Sequence, residues 1–193
     1  MIRFKLTRIN LMTATSAGRL LVDIALRDVR KVEKTSNRAP WIAKYWPATD
    51  YPEAYDLNNP AYKGRPPYCA AACCYWLKQL GVELAEMGEL RKTFDKSLKE
   101  FESWRCKSAG AFRWRDWAKR KSDVLVLPKY AIAMPGDFVI FDFSHIGLVQ
   151  NSSAGSVDTV EANTNLAGGR EGDGCWAKSR SRDVVQGFIR IFK

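Results

Sequence analysis

Histidine is almost missing from this sequence, since His145 is the only one among 193 residues. Zinc sites built on several histidines are therefore excluded. Cysteine is also scarce, and the five residues are irregularly spaced without a Cys-x-x-Cys pair: Cys69, Cys73, Cys74, Cys106 and Cys175. An odd number of thiols in a chain with 46% hydrophobic residues argues against a disulfide framework. We therefore expect reduced cysteines, no metal and no other cofactor.

Long apolar stretches are absent as well. Polar residues interrupt the N-terminal segment, and no run approaches the ~20 apolar residues of a membrane span. We expect no transmembrane segment and no classical signal peptide, so the protein would be made in the cytoplasm, and other machinery would have to deliver it if it acts outside. Acidic residues are outnumbered, with 21 Asp and Glu against 31 Lys and Arg, which leaves a net charge of +10. This charge favours an anionic partner such as a cell-wall polymer, a membrane surface or nucleic acid.

The first half of the chain has mainly helical periodicity. The predicted helices run from Thr15 to about residues 33–37 and over residues 69–80, 84–106 and 108–120. Gly81 is expected to end the second of these helices. Six prolines within residues 38–67 predict a long irregular segment between the first two helices.

After Pro135 the pattern changes to alternating or continuous apolar runs. It predicts four strands: Asp137–Phe143, His145–Asn151, Ser156–Asn163 and Val185–Phe192. Because helices come first and strands follow, we predict an α+β fold in which N-terminal helices pack on a C-terminal antiparallel sheet. Residues 1–193 are predicted to form a single domain, with 84–106 as a helical insertion.

Cys69 and His145 are the first candidates for chemistry. Cys69 directly follows Pro66, Pro67 and Tyr68, which places it at a helix N-terminus, where backbone N–H groups and the helix dipole favour a thiolate. His145 begins a predicted strand and is the one conventional proton acceptor for a cysteine nucleophile. The competing interpretations are a small buried hydrophobic residue for Cys69 and a structural residue for His145.

Glu161 and Asn163 lie on the next predicted strand, in the segment VEANTN. An antiparallel pair brings this strand beside that of His145, and a spacing of two places both side chains on one face. Either residue could hold the imidazole in the correct tautomer, while the other positions a substrate or donates to an oxyanion. A polar strand end on a solvated face is the alternative.

Taken together, these motifs resemble the CHAP family of cysteine, histidine-dependent amidohydrolases/peptidases. The matching segments are PYCAAACCYWLKQLG, PGDFVIFDFSHIGLV, TVEANTN and GGREGDGCWAKSRS, in that order, within a similarity that spans roughly residues 15–193. The resemblance implies a papain-like scaffold with Cys69 as nucleophile and His145 as general base. It also implies Glu161 as the orienting acid and Asn163 as a supporting polar group.

Members of that family cleave amide bonds of peptidoglycan, which the resemblance implies as the partner here. The bond would be the N-acetylmuramoyl-L-alanine amide or a peptide bond of the stem or cross-link, cut by a monomer without a metal. Anionic wall polymers are a further expected partner. Two alternatives stay open: a papain-like module that binds wall or protein without turnover, and a basic nucleic-acid-binding domain. No zinc finger, helix-turn-helix or RNA-recognition signature is present, so nucleic acid is not the expected partner.

Overall fold

The computed structural model of the chain describes residues 14–34, 37–55, 66–169 and 172–192. Part of the predicted irregular segment, residues 56–65, lies outside this description. In the described residues the α-helices are α1 Ala14–Leu26, α2 Pro40–Ala43, α3 Cys69–Glu86, α4 Leu90–Phe94, α5 Leu98–Trp104 and α6 Ala111–Lys119. The strands are β1 Leu125–Pro128, β2 Phe138–Phe141, β3 His145–Ser152, β4 Ser156–Thr164, β5 Gly174–Ser181 and β6 Val185–Arg190.

The six strands form one antiparallel sheet in the order β1-β6-β2-β3-β4-β5. β2, β3 and β4 are consecutive in the chain and adjacent in space, as short turns between antiparallel strands require. β6 returns to pair with both β1 and β2. The predicted α+β class with an antiparallel sheet is therefore confirmed.

Two apolar cores cover the two faces of the sheet. The larger core joins the helices to side chains such as Ile140, Leu148 and Val160. The smaller core contains Val139 and Phe188 on the other face, because neighbours along a strand point in opposite directions. None of the described helices combines the length and the apolar character that a membrane crossing requires.

The second predicted helix is longer than expected, because α3 continues through Gly81 to Glu86. A Cβ atom at position 81 would lie 2.4 Å from ring carbons of Phe101, so glycine is required here for close packing of α5. The prediction that Gly81 ends the helix is therefore wrong. Glycine is common at the C-terminal end of a helix, but at position 81 tertiary packing gives it another role.

The single helix predicted over 84–106 is also wrong, because the segment contains the end of α3 and two short helices, α4 and α5. Asp95 at the end of α4 has a left-handed backbone with φ of 53°, which interrupts a helix. Ser97 then starts α5 with a capping box, since its side chain accepts from the Glu100 N–H and Glu100 accepts from the Ser97 N–H. Phe101 is fully buried in the larger core, so the segment is part of the packed structure.

The first predicted helix ends early and two strands were missed. α1 ends at Leu26 rather than near residues 33–37, because the chain turns at Arg30, whose N–H donates to the carbonyl of Cys175, and Val32 bridges to Gly174. Pairing with the sheet has replaced the helical continuation. The missed strands are β1, which is only four residues long, and β5, whose polar residues give no apolar alternation.

Candidate active site

Cys69 is the first residue of α3, and its position follows from the sequence before it. A helix cannot extend backwards through Pro66 and Pro67. The helix α3 therefore begins shortly after them, at the residue that follows Tyr68. The first N–H groups of a helix have no intrahelical partner and carry a partial positive charge. Cys69 is 5% exposed, so its sulfur lies at this positive end with little contact with solvent.

His145 is the first residue of β3 and pairs with Phe141 across the β2–β3 turn. Ser144 has a left-handed backbone with φ of 60°, which directs the chain from the turn into the strand. The imidazole is fully buried and stacks on Phe143, with ring centres 5.7 Å apart and planes 20° apart. Its orientation is therefore fixed by packing on at least one side.

The side chain of Glu161 passes directly over Gly147 to reach the imidazole. A Cβ atom at position 147 would lie 2.8 Å from Cγ of Glu161, so only glycine leaves room for this path. His145 and Gly147 share a face of β3, and the Glu161 carboxylate lies over that face. Its Oε2 is 3.1 Å from Nε2 of His145, a distance suited to an ion pair. Glu161, rather than Asn163, is thus the candidate that contacts the imidazole.

Asn163 occupies an irregular position in β4. The register between β4 and β5 shifts between Ala162 and Thr164, and Asn163 has a left-handed backbone with φ of 60°. The alternation of side chains along a strand predicted that Asn163 would share a face with Glu161. The bulge interrupts that alternation. The Asn163 side chain is fully buried, and neither its nitrogen nor its oxygen has a hydrogen-bond partner among the described residues. Its backbone N–H interacts with the hydroxyl of Tyr68, the residue before Cys69.

The electrostatics of the site favour charged side chains despite burial. Burial disfavours the Cys69 thiolate, but the charge of His145 and the N–H groups of Ile146 and Ala70 outweigh it and lower the pKa of Cys69. Burial also opposes the imidazolium, yet Cys69 and then Glu161 raise the pKa of His145 to about 9. Each partner therefore favours the charged form of the other, and the pair is shifted toward thiolate and imidazolium.

Arg180 is a member of this cluster that sequence reasoning missed. Its Nε donates to Oε1 of Glu161 at 2.8 Å, and its Nη2 donates to Oε2. Burial raises the pKa of Glu161, but Arg180 and His145 hold it at about 2. Arg180 lies on β5, and because that strand was not predicted, nothing in the sequence linked this residue to Glu161.

Four cysteines take no part in the cluster. Cys73, Cys74, Cys106 and Cys175 are free and buried, and burial is the main reason that the pKa of each thiol is raised. Within the described ranges, no three His, Cys, Asp or Glu side chains converge to hold a metal ion.

Comparison of the chain with protein-family models, curated proteins and solved structures finds no match.

The contrast between Cys69 and the other thiols predicts selective alkylation. Iodoacetamide at pH 7 is expected to add one carbamidomethyl group to the folded protein, located at Cys69 by peptide mass spectrometry. Because the pKa of Cys69 is lowered, its rate should already be level at pH values where a model thiol is still mostly protonated. A model thiol would instead become about tenfold faster per pH unit below its pKa.

The Cys69→Ser variant is the control for this experiment, and it should remain unlabelled under the same conditions. First labelling at Cys106, which is 1% exposed, would contradict the prediction. A rate at Cys69 that follows an ordinary thiol titration would contradict it as well.

Proposed function

We propose that the chain is a papain-like peptidoglycan hydrolase that cleaves an amide bond with Cys69 as nucleophile. The observation that carries this proposal is that Cys69, at the start of α3, and His145 are close enough to shift each other's pKa, while Nε2 of His145 lies 3.1 Å from Oε2 of Glu161. A nucleophile, a base and an orienting acid close together are the arrangement that acyl transfer requires. The substrate class comes from the resemblance of the motifs to the CHAP family.

In the first step the Cys69 sulfur attacks the carbonyl carbon of the amide. Because Nε2 of His145 faces Glu161, Nδ1 is the nitrogen left to accept and return a proton. The C–N bond then breaks as Nδ1 protonates the leaving amine, and a thioester to Cys69 remains. In the second step water, deprotonated by His145, attacks the thioester, releases the acid and restores the thiol.

The oxyanion formed in each step needs donors close to Cys69. The backbone N–H groups at the beginning of α3 supply them, and each donor of this kind contributes about 3 kcal/mol to the transition state. The unpaired amide of Asn163 is a second source, since a buried NH₂ group without a partner gains a hydrogen bond when an acceptor binds. Asn163 is thereby proposed to contact the substrate rather than the imidazole.

The exposed face of α6 supports an anionic wall polymer as an additional partner. It carries the basic side chains Arg113, Arg115 and Lys119, with Arg120 directly after the helix and Asp116 as the acidic residue among them. Such a surface attracts polyanions through long-range electrostatics that salt weakens. Teichoic acid and other phosphate-bearing polymers of the cell wall are the anions that a peptidoglycan hydrolase would meet.

Digestion of purified peptidoglycan tests the proposal and identifies the bond. The wild-type protein is expected to release fragments, whereas His145→Ala should release none, because it lacks the base. Mass spectrometry separates the two reactions: free stem peptides indicate an amidase, and new amines on peptides still joined to sugar indicate an endopeptidase. Failure of the wild-type protein to release fragments from any peptidoglycan type would overturn the proposal.

The burial of the site favours one alternative, a papain-like module that binds wall or protein without turnover. His145 and Glu161 are fully buried and Cys69 is 5% exposed, which restricts the access of a polymer to the sulfur. Co-sedimentation with intact peptidoglycan distinguishes this candidate. Binding by the wild-type protein and by Cys69→Ala to equal extents, with no fragments released by either, would support the module.

A further inference from the structure

We propose that Arg180 is a positioning residue that holds the His145 imidazole in place through Glu161 and two phenylalanine rings. This inference rests on the proposed function, since it assigns Arg180 a role in the Cys69–His145 reaction. Arg180 touches neither Cys69 nor the reacting atoms in that scheme. Its effect on the imidazole is transmitted by the groups it contacts.

The first route runs through the carboxylate. Arg180 donates to both oxygens of Glu161, with Nε 2.8 Å from Oε1, and the hydroxyl of Thr159 donates to Oε1 at 2.7 Å. A bidentate guanidinium–carboxylate pair fixes the plane of the carboxylate as well as its position. The oxygen that receives Nη2 of Arg180 is Oε2, which also lies 3.1 Å from Nε2 of His145. The direction of the contact with the imidazole therefore depends on Arg180.

The second route runs through the aromatic rings beside the imidazole. The guanidinium carbon of Arg180 lies 5.6 Å from the ring centres of both Phe141 and Phe143. These two rings are nearly parallel, 5.3 Å apart, and each stacks on His145 at 5.9 and 5.7 Å, respectively. A cation over aromatic faces is attracted to them and limits their movement. One guanidinium thus contacts the acid and both rings that pack against the imidazole.

Arg180 is itself anchored. Its Nη1 donates to the carbonyl of Gly168 at 2.7 Å, its Nη2 also lies 3.3 Å from the hydroxyl of Thr164, and the side chain is 11% exposed. A nearly buried guanidinium with all three nitrogens engaged has little freedom to leave Glu161. Arg180 therefore joins the loop after β4 to the acid of the site.

Lys178 provides a matched comparison within the same strand. It lies two residues before Arg180, on the same face of β5, and carries the same charge. Its ammonium group contacts the carbonyl oxygens of Asn165 and Leu166 in the same loop, but no ion pair joins it to Glu161 among the described residues. An effect that is specific to the clamp on Glu161 should appear at Arg180 and not at Lys178.

The test measures the imidazole directly, without a wall substrate. His145 is the only histidine, so its ring gives a single titration curve in NMR spectra. In Arg180→Gln the buried carboxylate loses the two donors that fix its plane, so its contact with Nε2 of His145 loosens and the imidazolium loses support. We expect the titration midpoint of His145 to fall by about one pH unit or more, and Cys69 alkylation at neutral pH to slow about tenfold. Arg180→Lys should restore part of the shift, and Lys178→Gln should leave it unchanged.

A double variant keeps the proposal testable if Arg180→Gln does not fold. Glu161→Gln with Arg180→Gln replaces the buried ion pair by two neutral amides, and its titration is compared with that of Glu161→Gln alone. Equal midpoints would assign the effect to the route through Glu161, and a lower midpoint in the double variant would assign part of it to the phenylalanine rings. A midpoint of wild-type value in folded Arg180→Gln, or an equal shift in Lys178→Gln, would overturn the proposal. Because neither measurement requires turnover, absence of peptidoglycan cleavage would reject the proposed function without affecting this result.

Discussion

Cys69→Ala is expected to reduce the release of peptidoglycan fragments by about 10⁴-fold or more, because removal of a nucleophile leaves only binding and the oxyanion donors. The fold should persist, since the change removes one sulfur atom from a side chain that is 5% exposed. The measurement is the initial rate of fragment release at equal protein concentration. Far-ultraviolet circular dichroism of the same samples reports whether the helices and the sheet remain.

Cys73→Ala is the matched control for this prediction. Cys73 lies one helical turn after Cys69, is fully buried and has a raised pKa. It is therefore a thiol on the same helix whose pKa His145 does not lower. Its loss should cost about 1 kcal/mol of stability and leave the rate within a few-fold of the wild-type rate. Fragment release that survives in Cys69→Ala, or that is lost equally in Cys73→Ala, would contradict Cys69 as nucleophile.

The proximity of Cys69, His145 and Glu161 could be anticipated because each position depends on a local rule. Two prolines fix the start of α3, and strand pairing brings β3 and β4 side by side. Gly147 then leaves the space through which Glu161 reaches the imidazole. The sequence could not separate Glu161 from Asn163, because the bulge at Asn163 depends on the register with β5. That strand was not predicted.

Arg180 and the true helix ends could not be predicted for a common reason, which is that they depend on contacts distant in sequence. β5 alternates between buried or half-buried and exposed positions with few apolar residues, so its strand character comes from pairing with β4. α1 stops where the chain reaches Cys175, and α3 continues because Gly81 meets Phe101. In each case tertiary contact overrides the local preference.

Asp28 provides the second large expected effect, which concerns stability and does not depend on any function. Its side chain is 1% exposed and accepts hydrogen bonds from the hydroxyl of Tyr45 at 2.8 Å and from Nε1 of Trp76 at 2.9 Å. The ammonium groups of Lys31 and Lys44 also contact this carboxylate. One buried acid thus connects the residues after α1 with α3 and with the segment that contains Tyr45.

Asp28→Ala is expected to lower the free energy of unfolding by about 3–5 kcal/mol, because it leaves two buried donors and two cations without their acceptor. Asp23→Ala is the control, since Asp23 is an exposed residue of α1 and its loss should change stability by no more than about 0.5 kcal/mol. Urea denaturation of both variants at pH 7 measures the difference. Equal stability of the two variants would contradict the network.

The pH dependence of this difference follows from the sign of the pKa shift. Burial raises the pKa of Asp28, but hydrogen bonds from Lys31, Lys44, Trp76 and Tyr45 outweigh it, so the folded-state pKa lies below the ordinary value of 3.8. The stabilisation by ionised Asp28 is therefore fully present above pH 3.8 and is lost as the pH falls through the lower folded-state value. The stability gap between wild type and Asp28→Ala should be constant near neutral pH and narrow on acidification. A gap that widened in acid would mean that Asp28 is protonated in the folded protein, because a carboxyl held neutral by burial stabilises the fold only at low pH.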